Sequence, residues 1–242
     1  MNPMFQFIKD ITGKLNTNGY SSLSSQSDPR QAAFVRNLQR ELKSKRVLDI
    51  PLDNLNVVVF DIETTGFFPY KGDSILSIGA VKMVGEHVLE EEVFYAPIYS
   101  EEGPTEEIER LTGITKQELM NAEPIETVLH NFYKFINSDT LVAHHSSHEK
   151  EFMKHVNWKV LKTSFSHRIV DTAFLLQIVE PEEGLVSLDE CCSHYGIEID
   201  QRHHALYDAI ATAKLWAESV RLIRELGFSN LGDVYTHLAK YK

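Results

Sequence analysis

The chain has 242 residues, 43% hydrophobic and 24% charged, with a formal net charge of −11. That composition suits one large domain, or one domain with an appendage, and supplies enough apolar side chains for a substantial core. The acidity argues against a protein that grips nucleic acid through a broad basic face. Two adjacent cysteines, Cys191 and Cys192, exclude a disulfide framework and leave too few thiols for a Cys-based zinc site.

The charge is uneven. Residues 1–48 hold eight Lys/Arg against three Asp/Glu, a balance of +5, and the remainder stands at −16. An acidic body can still act on phosphates if bound cations reverse the local sign. No run approaches the roughly eighteen apolar residues of a membrane span. Asp10 interrupts the apolar stretch a signal peptide needs. The expectation is an unexported, cytoplasmic protein with reduced thiols.

In chain order, Met4, Ile8, Ile11 and Leu15 recur at helical spacing beside Lys9 and Lys14. This predicts a short helix that docks or frays, with a membrane-surface or partner helix as the sharper alternative. The polar run "NTNGYSSLSSQS" reads as a linker. Residues 28–46 predict a helix, N-capped by Asp28, with Pro29 in its first turn and Phe34, Leu38 and Leu42 along one stripe. Lys43, Lys45 and Arg46 suit the negative end of its dipole. Residues 1–50 are assigned to a helical N-terminal extension and 51–242 to the main domain.

From residue 55 the pattern changes. "LNVVVFDIET" predicts a buried strand, and its "VVVF" is apolar on both faces, as a central strand requires. "SILSIGAVKMV" and "HVLEEEVFYAPI" predict two strands joined by a hairpin around Gly85. Residues 104–136 read as two helical pieces, "TEEIERLTGI" and "IETVLHNFYKFI". A strand "TLVAHH" (140–145) and a helix "HEKEFMKHV" (148–156) follow. "HRIVDTAFLLQIV" passes from strand to helix. "LVSLDECCSHYG" is a helix that Ser187 can cap and Gly196 can close. A long helix begins at Ala205 and runs to about residue 226, and a last one occupies about 229–240. A strand meander followed by alternating strands and helices implies an α/β domain with a mixed sheet.

Three places carry chemistry. Residues i and i+2 of a strand share a face, so Asp61 and Glu63 aim their carboxylates together. Two such charges repel unless a cation sits between them, and hard divalent ions take oxygen ligands of this kind. Thr64, Thr65 and Gly66 add two hydroxyls and a backbone that can approach a ligand closely. In "RHHALYDAIATAKLW", small Ala205, Ala209 and Ala213 let the helix pack close to a sheet and bring Asp208 towards those acids. His203, just before the helix, could take a proton from an attacking water. In "LVAHHSSHEKEFM", Glu149 opens a helix. A zinc reading of His144, His145 and His148 is set aside because adjacent strand residues point to opposite faces.

Together these motifs resemble the DEDDh 3′→5′ exonucleases, the family of the proofreading epsilon subunit of bacterial replicative polymerases and of several RNases. "FDIETTG" is similar to the first family motif, "ILSIGAV" to the second strand, "GITKQEL" to the turn after the third, and "SLDECCSHYGIEIDQRHHALYDA" to the last motif with its His-x₄-Asp spacing. The similarity covers about residues 55–225. It implies an RNase H-like fold, a mixed five-stranded sheet flanked by helices. One departure stands out. The second motif usually reads His-Asn, three residues, then Asp; here His145 holds the Asn position and Glu149 the Asp position.

The resemblance implies two divalent cations, Mg²⁺ or Mn²⁺, held by Asp61, Glu63, Glu149 and Asp208, with His203 taking the proton of the attacking water. It implies that Thr64, Thr65 and Gly66 contact the terminal nucleotide of a single-stranded DNA or RNA 3′ end. A polymerase or repair protein is the implied partner, in DNA replication or repair. Two other readings stay open: a non-catalytic nucleic-acid or partner-binding protein on a degenerate exonuclease fold, and a metal phosphoesterase for small nucleotides.

Overall fold

A computed structural model describes residues 46–181 and 183–240. The helices expected over 1–15 and 28–46, and the linker between them, lie outside the described residues or at their edge. Among the described residues are five strands and eight α-helices: β1 Asn56–Thr64, β2 Ile75–Val84, β3 His87–Pro97, α1 Glu106–Thr112, α2 Lys116–Met120, α3 Ile125–Ile136, β4 Thr140–Ala143, α4 Ser147–Val156, β5 Ile169–Asp171, α5 Thr172–Val179, α6 Leu188–His194, α7 Ala205–Glu225 and α8 Leu231–Ala239.

The strands form one sheet in the order β3-β2-β1-β4-β5. The β1–β2 and β2–β3 pairs are antiparallel, and β1–β4 and β4–β5 are parallel. The mixed five-stranded sheet is therefore present, with β1 at its centre. Alternation along β1 divides the core. Val58, Phe60 and Ile62 pack against Leu129 and Phe132 of α3 and Phe152 and Met153 of α4. Val57 and Val59 pack on the opposite face with Ala213, Trp216 and Val220 of α7 and Leu231 of α8. Each such large side chain, fully buried, contributes about 1.5–3 kcal/mol. By the same parity Asp61 and Glu63 fall on the α7 face.

Residues 104–136 form three helices rather than two. Gly113, at φ 73°, ends α1, and the Thr115 hydroxyl caps a new helix by accepting from Glu118 N–H. The β4 strand stops at Ala143, two residues short of the expected end. The Asp171 carboxylate accepts from the backbone N–H groups of His145 (3.2 Å) and Ser146 (2.8 Å), and His145 turns to φ 56°. Ser187 and Glu190 close a reciprocal capping box at α6, and Gly196 has positive φ. Val47, Leu48 and Ile50 pack on the α7–α8 side of the core, and Leu52 N–H donates to the Ser229 carbonyl. Both cysteines are buried and unpaired with each other. No described helix is long and apolar enough to cross a membrane.

α7 lies directly on the sheet. Ala205, Ala209 and Ala213 are fully buried, and a Cβ on Gly79 of β2 would come within 2.2 Å of the Ala205 carbonyl carbon and the Leu206 nitrogen. Gly79 is the cross-strand partner of Asp61. The absence of one side chain thus sets the distance between the strand acids and the helix carrying Asp208.

Candidate active site

Acidic side chains meet at the C-terminal ends of the parallel strands, where open α/β sheets place ligands. Carboxylate oxygens of Asp61, Glu63 and Asp208 lie within 4.8 Å of one another. Glu149 enters from the first turn of α4, 4% exposed. Its charge acts on Asp61, and the charge of Glu63 acts on it. Oε2 of Glu149 and Oδ1 of Asp208 are buried without a hydrogen-bond partner among the described residues. Buried carboxylate oxygens are costly when unpaired.

The proton affinities follow. Burial first, then Glu149, Glu63 and Asp208, hold Asp61 well above the ordinary range, against a lowering by Arg202. Burial and Asp208 push Glu63 up to about 7. Burial, with Asp171 and Glu63, pushes Glu149 up to about 8. Burial also raises Asp208, although Arg202 and His203 pull the other way. Divalent cations would relieve this repulsion and supply the missing partners; the donor set, all carboxylate oxygen, suits Mg²⁺ or Mn²⁺.

The raised carboxylates and the lowered histidine define a pH window. Glu63 and Glu149 titrate higher in the folded protein than in an unfolded chain, so the folded state keeps protons the unfolded state has lost, and stability falls as pH rises towards about 8. His144 runs the other way, held neutral with its pKa lowered to about 4 by burial and by His145. Its contribution is complete once unfolded-state histidine has titrated, near pH 6.5. Between about pH 6.5 and pH 8 the metal-free protein is therefore expected to lose melting temperature, and Mg²⁺ to restore more of it at the upper end. Calorimetry with EDTA and with Mg²⁺ measures this; equal Mg²⁺ effects at both pH values would contradict the proposed ion site.

His203 lies immediately before α7 at φ 58°, and its N–H donates to Asp208 Oδ2 at 2.9 Å. A positive charge gained by its ring would be favoured by Asp208 and Asp189, both of whose pKa values it pulls down. Thr64 donates to the Gly66 carbonyl (2.7 Å) and meets His148 Nε2 at 3.3 Å. Thr65 Oγ1 accepts from Ser74 N–H (2.9 Å). Gly66 packs so closely on Asp73 that a Cβ there would stand 2.5 Å from its carboxylate. The loop after β1 is thus stapled in place.

The histidines correct one expectation. His144 and His145 do not point apart, because β4 has ended: their rings meet at 4.4 Å, and both direct Nε2 at the Val186 carbonyl. A carbonyl only accepts, so Nε2 of His144 carries the proton and its Nδ1 accepts from Thr172 Oγ1 at 2.6 Å. His148 instead meets Thr64 and the Phe67 ring. Among the described residues, the three carboxylates of Asp61, Glu63 and Asp208 form the group with metal-ligand proximity, and the histidines form none.

Two residues escaped the sequence reading. Asp171 ends β5, caps α5 and shapes the loop carrying Glu149. Its signal was available: "RIVD", an acid ending an apolar strand, repeats the pattern at Asp61. Arg202 forks onto Asp189 (2.7 and 3.1 Å) and also reaches Asp208 Oδ2. Nothing in local spacing announces that pairing.

A mixed sheet bearing this acid cluster is the architecture of the RNase H-like exonucleases. The exonuclease family model named for RNase T matches residues 58–216. A DNA polymerase III subunit epsilon-like protein of Rhodobacter capsulatus is 32% identical over 214 residues, covering 88% of this chain and 30% of that protein. A PolC-type DNA polymerase III of Oceanobacillus iheyensis is 33% identical over 184 residues, covering 76% and 13%. The chain thus spans less than a third of these relatives. Among solved structures, the nuclease domain of 3′hExo, a DEDDh family member bound to rAMP, has a TM-score of 0.60 at 17% identity, covering 70% of this chain and 92% of that one. E. coli exonuclease I with a dT13 oligonucleotide also has a TM-score of 0.60, at 16% identity, covering 72% and 42%. The chain belongs to the exonuclease family that this model defines.

Proposed function

We propose that the protein is a metal-dependent 3′→5′ exonuclease that releases nucleoside 5′-monophosphates from single-stranded DNA or RNA ends. The observation that carries this is the convergence of Asp61, Glu63 and Asp208, with Glu149 beside them and two carboxylate oxygens left without partners. Asp61, Glu63, Glu149 and Asp208 would hold two divalent cations, which when bound supply charge neutralisation at the phosphate and activation of water.

The chain's own residues do the rest. Thr64, Thr65 and Gly66 seat the terminal nucleotide. His203 accepts the proton of the attacking water. The water oxygen bonds to phosphorus, the P–O3′ bond breaks, and the departing 3′-oxygen takes a proton from solvent. Positioning and electrostatics account for the catalysis. The relatives' names favour work beside a replicative polymerase; a cytoplasmic setting and a role in repair belong to the same proposal.

The test is digestion of matched 5′-labelled single-stranded DNA and RNA with Mg²⁺, Mn²⁺ or chelator. The expected result is a metal-dependent ladder shortening from the 3′ end, with 5′-mononucleotides as product. No shortening would favour a non-catalytic binding protein; hydrolysis of a model ester alone would favour a small-nucleotide phosphoesterase.

Glu149 permits a finer check. Aspartate is one methylene shorter, a reach of about 1.5 Å. Glu149→Asp is expected to keep or exceed the parent's turnover in the same assay. A variant slower by about 100-fold or more would show that Glu149 does not stand in for the usual acid.

A further inference from the structure

Beyond the acid cluster, a row of exposed rings leads away along the outer face of α4. Phe67, Tyr70 and Trp158 are 74%, 65% and 61% exposed. They are the three most exposed of the large hydrophobic side chains among the described residues. Their neighbours hold them in place. Phe67 meets the edge of the His148 ring at 5.8 Å. Tyr70 stands edge-on to His155 at 5.0 Å, and its hydroxyl donates to Glu151 Oε2 at 3.2 Å. His148, Glu151 and His155 are spaced i, i+3, i+7 and so share one face of α4. Trp158 follows three residues later, in the π-helical turn Asn157–Leu161 that continues the helix.

The row therefore starts beside the strand that carries the acids, since His148 Nε2 meets Thr64, the last residue of β1, at 3.3 Å. It extends about 15 Å along the axis from position 148 to 158. At 3.4 Å per stacked nucleotide that is room for about four.

Charge selects the occupant. The chain as a whole carries −11, yet residues 150–162 hold four lysines against one acid. Lys150, Lys154, Lys159 and Lys162 are all exposed. A local excess of cations on the segment that bears these rings, left after Lys154 pairs with Glu151 at 2.7 Å, complements a polyanion with π faces, an unpaired nucleic-acid strand. Continuity with the acid cluster sets its direction.

We propose that the outer face of α4 and the turn after it carry the unpaired strand upstream of the terminal nucleotide, with Tyr70 and Trp158 stacking on bases and the four lysines meeting phosphates. The proposal rests on the nuclease reading for which end is cleaved, but not for binding itself.

The tryptophans give a direct readout. Trp216 is buried at 1% exposure and Trp158 is not. Titrating the full chain with oligo(dT) in chelator at low salt is expected to quench tryptophan fluorescence, and Trp158→Phe to abolish the quenching. Tyr70→Ala and Trp158→Ala should each weaken oligo(dT) binding about tenfold, and Tyr70→Phe and Trp158→Phe should retain most of it. In turnover, both alanine variants should raise KM for a long single strand without changing kcat, and leave hydrolysis of a thymidine 5′-phosphate aryl ester unchanged. An active parent whose alanine variants bind and cleave long strands normally would overturn the strand path while sparing the nuclease assignment. Unchanged fluorescence on adding oligo(dT) would overturn it too. A parent that binds oligo(dT) through Trp158 yet cleaves nothing would overturn the nuclease reading and sustain the path.

Discussion

Asp61→Asn is expected to reduce turnover by about three orders of magnitude or more and, in chelator near pH 8, to raise the melting temperature of the protein. The two effects have one cause. Asp61 lies where burial and the charges of Glu149, Glu63 and Asp208 all oppose its ionisation. The amide keeps the shape and removes the charge. Without cations, that relieves repulsion in the pH range where Glu63 (about 7) and Glu149 (about 8) shed their protons. With cations, the same change deletes a ligand. Electrophilic stabilisation by a bound ion is worth several kcal/mol, and each 1.36 kcal/mol is tenfold in rate. Turnover on a labelled oligonucleotide and paired melts in EDTA and Mg²⁺ measure both. A variant that keeps most of its turnover would place the chemistry elsewhere. An inactive variant that melts lower in EDTA would make Asp61 a structural residue rather than a strained ligand.

The opposing signs come from an arrangement that was partly legible in the chain. A strand apolar on both faces must be central, and its alternation puts Asp61 and Glu63 on one side; both inferences need only local sequence. The small residues of α7 foretold its close approach. What local reading could not supply was pairing over distance. Local sequence continues the β4 strand through His144 and His145, and alternation then opposes the two rings. The strand is ended by Asp171, 26 residues after His145, which takes the backbone N–H groups that would have continued the ladder. Arg202 is likewise placed by Asp189 and Asp208 together. The short α2 was missed because five residues are too few for a periodicity, although its Thr115 cap was in plain sight. These misses cluster around the loops that aim Glu149 and Asp208, where geometry is set by side chains reaching across the fold.

Gly79→Ala tests that geometry without touching any ligand. Gly79 pairs with Asp61 in the β1–β2 register and so shares its face, directly beneath the first turn of α7. An added Cβ would stand 2.2 Å from the Ala205 carbonyl carbon and the Leu206 nitrogen. Both are backbone atoms, so no rotamer change relieves the clash; the helix start must lift by about 1 Å, at an overpacking cost of about 1–3 kcal/mol. Asp208 lies in that first turn, and His203 just before it is tied to Asp208 by its N–H. A displacement of about 1 Å in a catalytic constellation can cost about 100-fold in rate. The variant is therefore expected to melt lower, to need more Mg²⁺ for half-maximal activity, and to lose about two orders of magnitude in kcat. The weaker Mg²⁺ response separates this from simple destabilisation, because a merely less stable protein, assayed well below its melting temperature, would bind the ion as before. Normal turnover at normal Mg²⁺ would mean that the distance between β1 and α7 is not what gathers the acids.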